Sequence, residues 1–182
     1  YQQAVELAQA ATESLAWGDP TDSSMLMGPL INARQRERVL GYIEKGKAEG
    51  ARLVTGGGRG PHETGYYVEP TLFADVDNSM TIAREEIFGP VLTLLPFDDD
   101  DDAVRIANDS DYGLSGGVSS ASLERAESVA RRLRTGTVGI NGGMWYAPDS
   151  PFGGYRQSGL GREMGLEGFS EYLETKTLGF PA

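Results

Sequence analysis

The chain has 182 residues, a net charge of -11 from 16 basic and 27 acidic side chains, and no cysteine. This length fits one domain that buries roughly 70% of its unfolded surface, and the acidic balance argues against nucleic acid and anionic membranes as partners. The lack of cysteine excludes disulfides, thiolate metal sites and a cysteine nucleophile within these residues. We see no membrane-spanning apolar run and no signal peptide, so we expect a cytoplasmic location and no membrane partner.

Hydrophobic periodicity predicts two helices in the first 50 residues. The first covers residues 1–16 and ends near a glycine and a proline. The second begins after Asn32, a good N-cap residue, and runs to about Glu49. Gln35 lies three residues after Asn32, which is the spacing of a capping-box partner.

Short strands are predicted next, at 52–55, 66–73 and 91–95. The second contains Pro70, which cannot donate to a strand ladder, so we predict an edge or bulged strand there rather than a central one. The third is nearly all apolar, a pattern typical of a strand that is covered on both faces.

A run of five aspartates, residues 98–102, precedes the next helical pattern. Such a run suggests a calcium site, but carboxylates at a helix N-terminus also complement the exposed amides and the macrodipole. We favour the structural interpretation. No cluster of His and carboxylates stands out elsewhere in the sequence, so we predict no metal site.

The second half of the chain alternates strands and helices. Strands are predicted at 114–119 and 137–141 with a helix at 123–133 between them, an order that indicates an α/β fold with a parallel sheet. Ligands of such sheets bind beyond the C-terminal ends of the strands, where Asn141 begins a long irregular loop. A helix at 163–172 and a terminal strand at 173–180 follow.

Two features of the second half invite a chemical interpretation that the sequence supports poorly. Ser158 lacks a partner for a hydrolase mechanism, because the only histidine is His62 in a turn-rich loop. Residues 159–165 nearly match a dinucleotide fingerprint, but they follow a loop rather than a strand, so close backbone packing explains their glycines better. We therefore predict no catalytic residue in this chain.

Glu85 and Glu86 form an adjacent pair of carboxylates before an apolar strand. Because unpaired charges are costly near a buried segment, we expect at least one of them to have a specific polar partner. A solvated pair at the entrance of a strand is the alternative.

Two stretches carry a family resemblance. Residues 85–91 read Glu-Glu-Ile-Phe-Gly-Pro-Val, and residues 151–163 read Pro-Phe-Gly-Gly-Tyr-Arg-Gln-Ser-Gly-Leu-Gly-Arg-Glu. They closely resemble the two downstream signatures of the aldehyde dehydrogenase superfamily, in the family's order and near its spacing. The resemblance implies a three-layer α/β fold, a mostly parallel sheet with helices on both faces, here incomplete. Residues 1–172 would be the C-terminal part of the catalytic domain and 173–182 the terminal oligomerisation strand.

The same resemblance implies contacts with the cofactor, NAD or NADP, which the family binds mainly through an upstream domain. Glu86 matches a glutamate that accepts hydrogen bonds from the nicotinamide ribose, and Phe88 matches an aromatic residue beside the nicotinamide. Gln35 matches a position near the adenosine ribose. Its capping role is slightly favoured, and both roles are compatible through different atoms.

Substrate contacts are implied as well. Phe152 matches the family's substrate-tunnel aromatic, and Trp145 and Tyr146 lie in its variable entrance loop, although all three also suit ordinary core or surface positions. Asn141 either positions the loop or contacts substrate. Trp145 and Tyr146 suit an aromatic or apolar aldehyde, or a quaternary ammonium such as betaine aldehyde through cation–π attraction.

The resemblance also implies assembly into a homodimer or homotetramer. In the family the segment matching 173–180 joins a neighbouring subunit's sheet, and a glutamate at the Glu174 position engages an arginine that matches Arg162. Arg156 departs from the lysine that is more usual in the second signature, so the role of that position is only partly assured here.

The family oxidises an aldehyde to a carboxylic acid with a cysteine nucleophile, NAD(P)+ and a glutamate base. We interpret this chain as the part downstream of the nucleophile and predict that it is inactive alone, since covalent catalysis needs the absent thiolate. The alternative is a stand-alone, non-catalytic association or ligand-binding module.

Overall fold

The computed structural model describes residues 1–143 and 146–181, and it divides into two compact units, Tyr1–Pro96 and Phe97–Ala182. The helices are α1 (Gln2–Ser14), α2 (Ala33–Ala48), α3 (Thr81–Arg84), α4 (Asp100–Asn108), α5 (Leu123–Ala130) and α6 (Gly165–Ser170). The strands are β1 (Arg52–Thr55), β2 (Thr71–Ala74), β3 (Val91–Thr93), β4 (Ser115–Val118) and β5 (Thr137–Ile140). Within the described ranges, no helix combines the length and the apolar character needed to cross a bilayer.

The sheet of the first unit has the order β1-β2-β3, antiparallel between β1 and β2 and parallel between β2 and β3. The predicted edge position of the second strand is wrong, because β2 is central and all four of its residues are buried. Pro70 lies just before β2, so its missing N–H removes no bond inside the strand. The irregular register falls on β1, between Leu53 and Thr55.

The third strand also differs from its prediction. β3 lies at an end of the sheet order, and Leu92 is 51% exposed, so this strand is not covered on both faces by the described residues. An apolar strand at a sheet end keeps unpaired main-chain groups and apolar side chains available.

Helix α2 covers the core of the first unit. Asn32 caps it as predicted, accepting from the Gln35 amide at 2.9 Å, and Val39 and Ile43 are fully buried on its inner face. Gly46 allows the close approach of α3, since a Cβ there would lie 2.8 Å from the Ile82 side chain.

The second unit contains a parallel strand pair joined through a helix. β4 and β5 pair in register from Ser115 with Thr137 to Val118 with Ile140, and α5 lies between them in the chain. Ala126 is buried on that helix. The α/β class predicted from the sequence is confirmed, with parallel pairs in both units.

The aspartate run serves the start of α4. Asp99 is the N-cap and accepts from the Asp102 amide at 2.8 Å. The carboxylates of the next three aspartates pair with arginines: Asp100 with Arg125, Asp101 with Arg132, and Asp102 with Arg105. Across the part of the chain that the structure describes, no group of three or more His, Cys, Asp and Glu residues could hold a metal ion.

Residues 173–180 form no strand within this chain. Leu178 and Phe180 are 71% and 85% exposed. A strand needs a partner for its ladder bonds, so pairing of this segment with another subunit stays a prediction.

Candidate functional site

The first signature begins where α3 ends. Glu85 is the C-cap of α3, and its carboxylate accepts a hydrogen bond from the Tyr42 hydroxyl at 2.6 Å. The hydrogen bond to this carboxylate, together with partial burial, raises the pKa of Tyr42. The expectation that one of the two glutamates has a specific polar partner is confirmed for Glu85.

Two side chains of α2 hold the main chain of the next three residues. Arg38 donates to the carbonyl of Glu86 at 2.7 Å and to the carbonyl of Ile87 at 2.8 Å. Gln35 donates from its side-chain amide to the carbonyl of Phe88 at 3.0 Å. The favoured capping-box role of Gln35 is thus only half right, because its main-chain amide reaches the N-cap while its side chain reaches this segment.

Phe88 has an unusual backbone conformation. Its φ is +56°, in the left-handed region that non-glycine residues rarely adopt, and its side chain is 68% exposed. The Arg38 guanidinium lies 5.9 Å from the centre of the Phe88 ring. Two side chains of α2 therefore lie against Phe88, Gln35 at its carbonyl and Arg38 near its ring.

The carboxylate of Glu86 has a different environment from that of Glu85. Its residue is exposed, and among the residues that the structure describes its side chain has no hydrogen-bond or ion-pair partner. Glu86 thus combines a fixed main chain with a carboxylate that has no partner, an acceptor suited to a ligand with hydroxyl donors. The exposed Phe88 ring, two residues later, suits contact with a flat ring.

Sequence reasoning missed Arg38 and Tyr42. Together with Gln35 they occupy positions i, i+3 and i+7 of α2, which place three polar side chains on one face of the helix. That spacing was the available signal, but it does not say which distant segment the face contacts.

In the second unit the long loop after β5 is tied to Gly113. The Gly113 carbonyl accepts from the amides of Gly136 and Tyr155, at 3.1 and 2.9 Å. Its own amide donates to the Ser158 hydroxyl at 3.0 Å. Ser158 therefore has a structural role, in keeping with its poor support as a nucleophile.

Close backbone packing explains several glycines of this loop. A Cβ on Gly136 would overlap the Gly153 carbonyl, and one on Gly153 would lie 2.8 Å from the Gly161 carbonyl. Phe152 and Glu163 form an isolated bridge across the loop, and a cavity of about 400 Å³ lies beside them.

Two predicted substrate residues are in contact. The rings of Tyr146 and Phe152 pack edge to face, with centres 5.3 Å apart and planes at 74°. The Asn141 side chain accepts from the Ser120 amide at 2.9 Å, which connects the ends of β5 and β4. Trp145 lies outside the described residues.

Two arginines support the loop through main-chain carbonyls. Arg162 donates to Gly154 and Gly161 at 3.0 and 2.7 Å, and its guanidinium lies 5.4 Å from the Tyr155 ring. Arg156, whose φ is +54°, donates to the carbonyl of Asn108, the last residue of α4, and to that of Ser110. Pairing of Arg162 with Glu174 is not seen in the described chain and stays a prediction for the assembly.

Comparison with known proteins identifies the family. The sequence profile of the aldehyde dehydrogenase family matches residues 1–178. The chain belongs to this family. A betaine aldehyde dehydrogenase of Rhizobium etli is 52% identical over 172 residues, which are 93% of this chain and 35% of that protein.

Solved structures of aldehyde dehydrogenases agree with the fold. The Mycobacterium tuberculosis enzyme in complex with NAD+ superposes with a TM-score of 0.92 at 50% identity, covering 100% of this chain and 38% of that one. Aldehyde dehydrogenase C of Pseudomonas syringae, a mutant in complex with NAD+ and octanal, has the same TM-score and identity and covers 96% and 36%. The chain thus spans about a third of the length of the relatives it matches.

Proposed function

We propose that this chain is part of an NAD(P)+-dependent aldehyde dehydrogenase that oxidises an aldehyde to a carboxylic acid. Its share would be cofactor contacts from the first unit and substrate and subunit contacts from the second. The observation that carries the proposal is the free carboxylate of Glu86 on a main chain that Arg38 holds, together with the exposed ring of Phe88 near the same arginine. Family membership supports the chemistry.

The residues present fit a nicotinamide cofactor. When bound, the cofactor would accept the hydride from the substrate. Glu86 would accept hydrogen bonds from its ribose hydroxyls, and Phe88 would limit the movement of its ring. Relatives that are 50% identical were solved with NAD+, so NAD+ is the first cofactor to test, with NADP+ as the comparison.

For the substrate we propose an aldehyde with an apolar or quaternary ammonium body. The edge-to-face rings of Tyr146 and Phe152 offer an aromatic surface that suits either class. The names of the relatives divide in the same way, with betaine aldehyde dehydrogenases among the sequences and an octanal complex among the structures. Comparing kcat/KM for betaine aldehyde and for octanal would separate the two classes.

These 182 residues alone should show no dehydrogenase activity. They contain no thiol, so no thiohemiacetal can form and no hydride can be released from it. NADH absorbance with both aldehydes is the measurement, and production that survives repurification would contradict the expectation.

Replacement of Glu86 tests the cofactor contact. In an enzyme of the relatives' full length that carries this chain, Glu86→Gln should lower kcat/KM for NAD+ by roughly tenfold to a hundredfold, because a charged acceptor of ribose hydroxyls becomes neutral. The test is steady-state kinetics with NAD+ as the varied substrate.

A matched control is available in the same unit. Glu63 is exposed in a turn-rich loop, and Glu63→Gln removes the same charge there. Its kinetics should stay within about twofold of wild type, since an exposed isolated charge contributes little. If Glu86→Gln also stayed within twofold, Glu86 would be no more than a solvated carboxylate.

A further inference from the structure

We propose that Arg38 is a positioning residue for the cofactor segment, setting the directions of the Glu86 carboxylate and the Phe88 ring. The inference rests on the proposed function for its enzymatic consequence. Its structural content stands on the contacts that Arg38 itself makes.

The first observation is the two-pronged contact of the guanidinium. One nitrogen of Arg38 donates to the Glu86 carbonyl and the other to the Ile87 carbonyl, at 2.7 and 2.8 Å. Two parallel donors on a rigid plane fix the orientation of the peptide groups as well as their distance. The peptide groups on both sides of the Ile87 Cα are thereby held against α2.

The second observation is the strained residue that follows. Phe88 has φ of +56°, which costs of the order of 1 kcal/mol or more for a residue with a side chain, and such a conformation persists only when its surroundings hold it. Gln35 holds the carbonyl of Phe88 at 3.0 Å, and the Arg38 plane lies 5.9 Å from its ring. The same helix face therefore maintains the turn that presents this ring.

The third observation is that Arg38 is itself held. Its guanidinium lies 5.0 Å from the Tyr42 ring and donates to the Tyr42 hydroxyl at 3.3 Å. That hydroxyl donates to the Glu85 carboxylate. The guanidinium thus lies 5.0 and 5.9 Å from the centres of two aromatic rings, and it acts on the site through the main chain of residues 86 and 87.

The test distinguishes the planar, two-nitrogen donor geometry of the Arg38 guanidinium from its positive charge. Arg38→Lys keeps the positive charge but replaces the planar fork with one ammonium, so it should release at least one carbonyl. In the 182-residue chain, the ¹³C chemical shifts of residues 86–88 should move, and those of Phe88 should move away from the values of a left-handed residue. Arg34→Lys makes the same change at an exposed position of the same helix and should leave them unchanged. Unchanged shifts in Arg38→Lys would overturn the proposal.

A second variant guards against global unfolding. Gln35→Ala removes only the bond to the Phe88 carbonyl and should move the Phe88 shifts in the same direction by less, with the spectrum of the remaining residues preserved. If neither variant changed residues 86–88 while the rest of the spectrum stayed native, the helix face would not be holding the segment.

Enzyme kinetics test the consequence in a full-length enzyme that carries this chain. Arg38→Lys should lower kcat/KM for NAD+ roughly tenfold and leave KM for the aldehyde within twofold, because only the cofactor acceptor is misplaced. In the Glu86→Gln background the same change should cost little more, since contacts that act through one another are not additive. Losses that multiply would overturn the proposal. If the ¹³C shifts of residues 86–88 move in Arg38→Lys, but Arg38→Lys and Glu86→Gln both keep wild-type kinetics, the positioning role of Arg38 stands and the proposed cofactor role of the segment is refuted.

Discussion

Residues with left-handed backbone concentrate around the stretches predicted to form the site. Non-glycine residues with positive φ in the described chain are Asp75, Phe88, Asn141, Arg156 and Met164. Each such residue costs free energy that the neighbouring contacts must offset. For Phe88 these contacts come from α2, whereas Arg156 holds itself through its own side chain.

Arg156 should be less replaceable by lysine than the family's usual pattern implies. Its guanidinium donates to the carbonyls of Asn108 and Ser110 at once. Lysine has a single flexible ammonium, so Arg156→Lys should lose one of these bonds and lower the free energy of unfolding by about 0.5–1.5 kcal/mol. Urea denaturation followed by circular dichroism is the measurement.

The matched control is Arg131→Lys. Arg131 pairs with Glu127 one turn away on α5, and its side chain is 75% exposed, so the change should be close to neutral. If the free energy of unfolding of Arg156→Lys equals or exceeds that of wild type, the planar guanidinium is not required to bond the carbonyls of Asn108 and Ser110.

At the scale of the element, α4 should weaken in acid because of its N-terminal aspartates. The hydrogen bonds from Arg125, with the attraction of its charge, hold the pKa of Asp100 below its ordinary value of 3.8. A depressed folded pKa gives stability that is present above the unfolded value and is lost as the pH falls through the folded one. Asp100→Asn should therefore lower Tm at pH 7 by roughly 1 to 3 °C, and the difference should shrink as the pH falls from 3.8 through the lower pKa of the folded state.

Asp149→Asn is the control for this titration, since Asp149 is exposed in the loop and the change removes a carboxylate that makes no ion pair with an arginine in the described chain. A Tm difference for Asp100→Asn that does not shrink as the pH is lowered step by step below 3.8 would mean that the ion pair is not its cause.

Features whose sequence signals lie within one stretch of the chain were predicted well. Features that depend on contacts between distant stretches were not. The helix after Asn32 has a cap and an apolar stripe within one stretch of sequence, and its bounds agree closely with α2. The position of β2 in its sheet depends on which strands pair with it, and Pro70 pointed to the wrong answer because it lies one residue outside the ladder. The site divides in the same way. Glu86 and Phe88 are candidates from a motif, and their cofactor role stays a prediction, whereas Arg38 becomes visible only when α2 and the segment are in contact.

At the scale of the whole molecule, the last ten residues should drive assembly. Leu173, Leu178 and Phe180 are largely exposed and belong to no ladder in the described chain. We predict that deletion of 173–182 converts a dimer or larger assembly to monomer, because another subunit's sheet is the simplest way to satisfy such a segment. Light scattering of the 182-residue chain and of the deleted chain gives the answer.

A gentler variant separates the strand from the mere loss of ten residues. Leu178→Asp keeps the length of the chain and places a charge in the expected interface. Leu26→Asp introduces the same charge at a loop residue of similar exposure outside that interface. Only the first should reduce the mass of the assembly. If the undeleted 182-residue chain is monomeric at tens of micromolar, residues 173–182 do not drive its assembly.

The strand pairs have a consequence for the order in which the chain can fold. In each described pair the partners lie about 20 positions apart, and no pair joins the first unit to the second. Closing loops of this length costs little more entropy than closing shorter ones. Once residues 1–96 have left the ribosome, every described strand partner of the first unit is already present. That unit is then able to form both of its described strand pairs while the second half of the chain is still being synthesised.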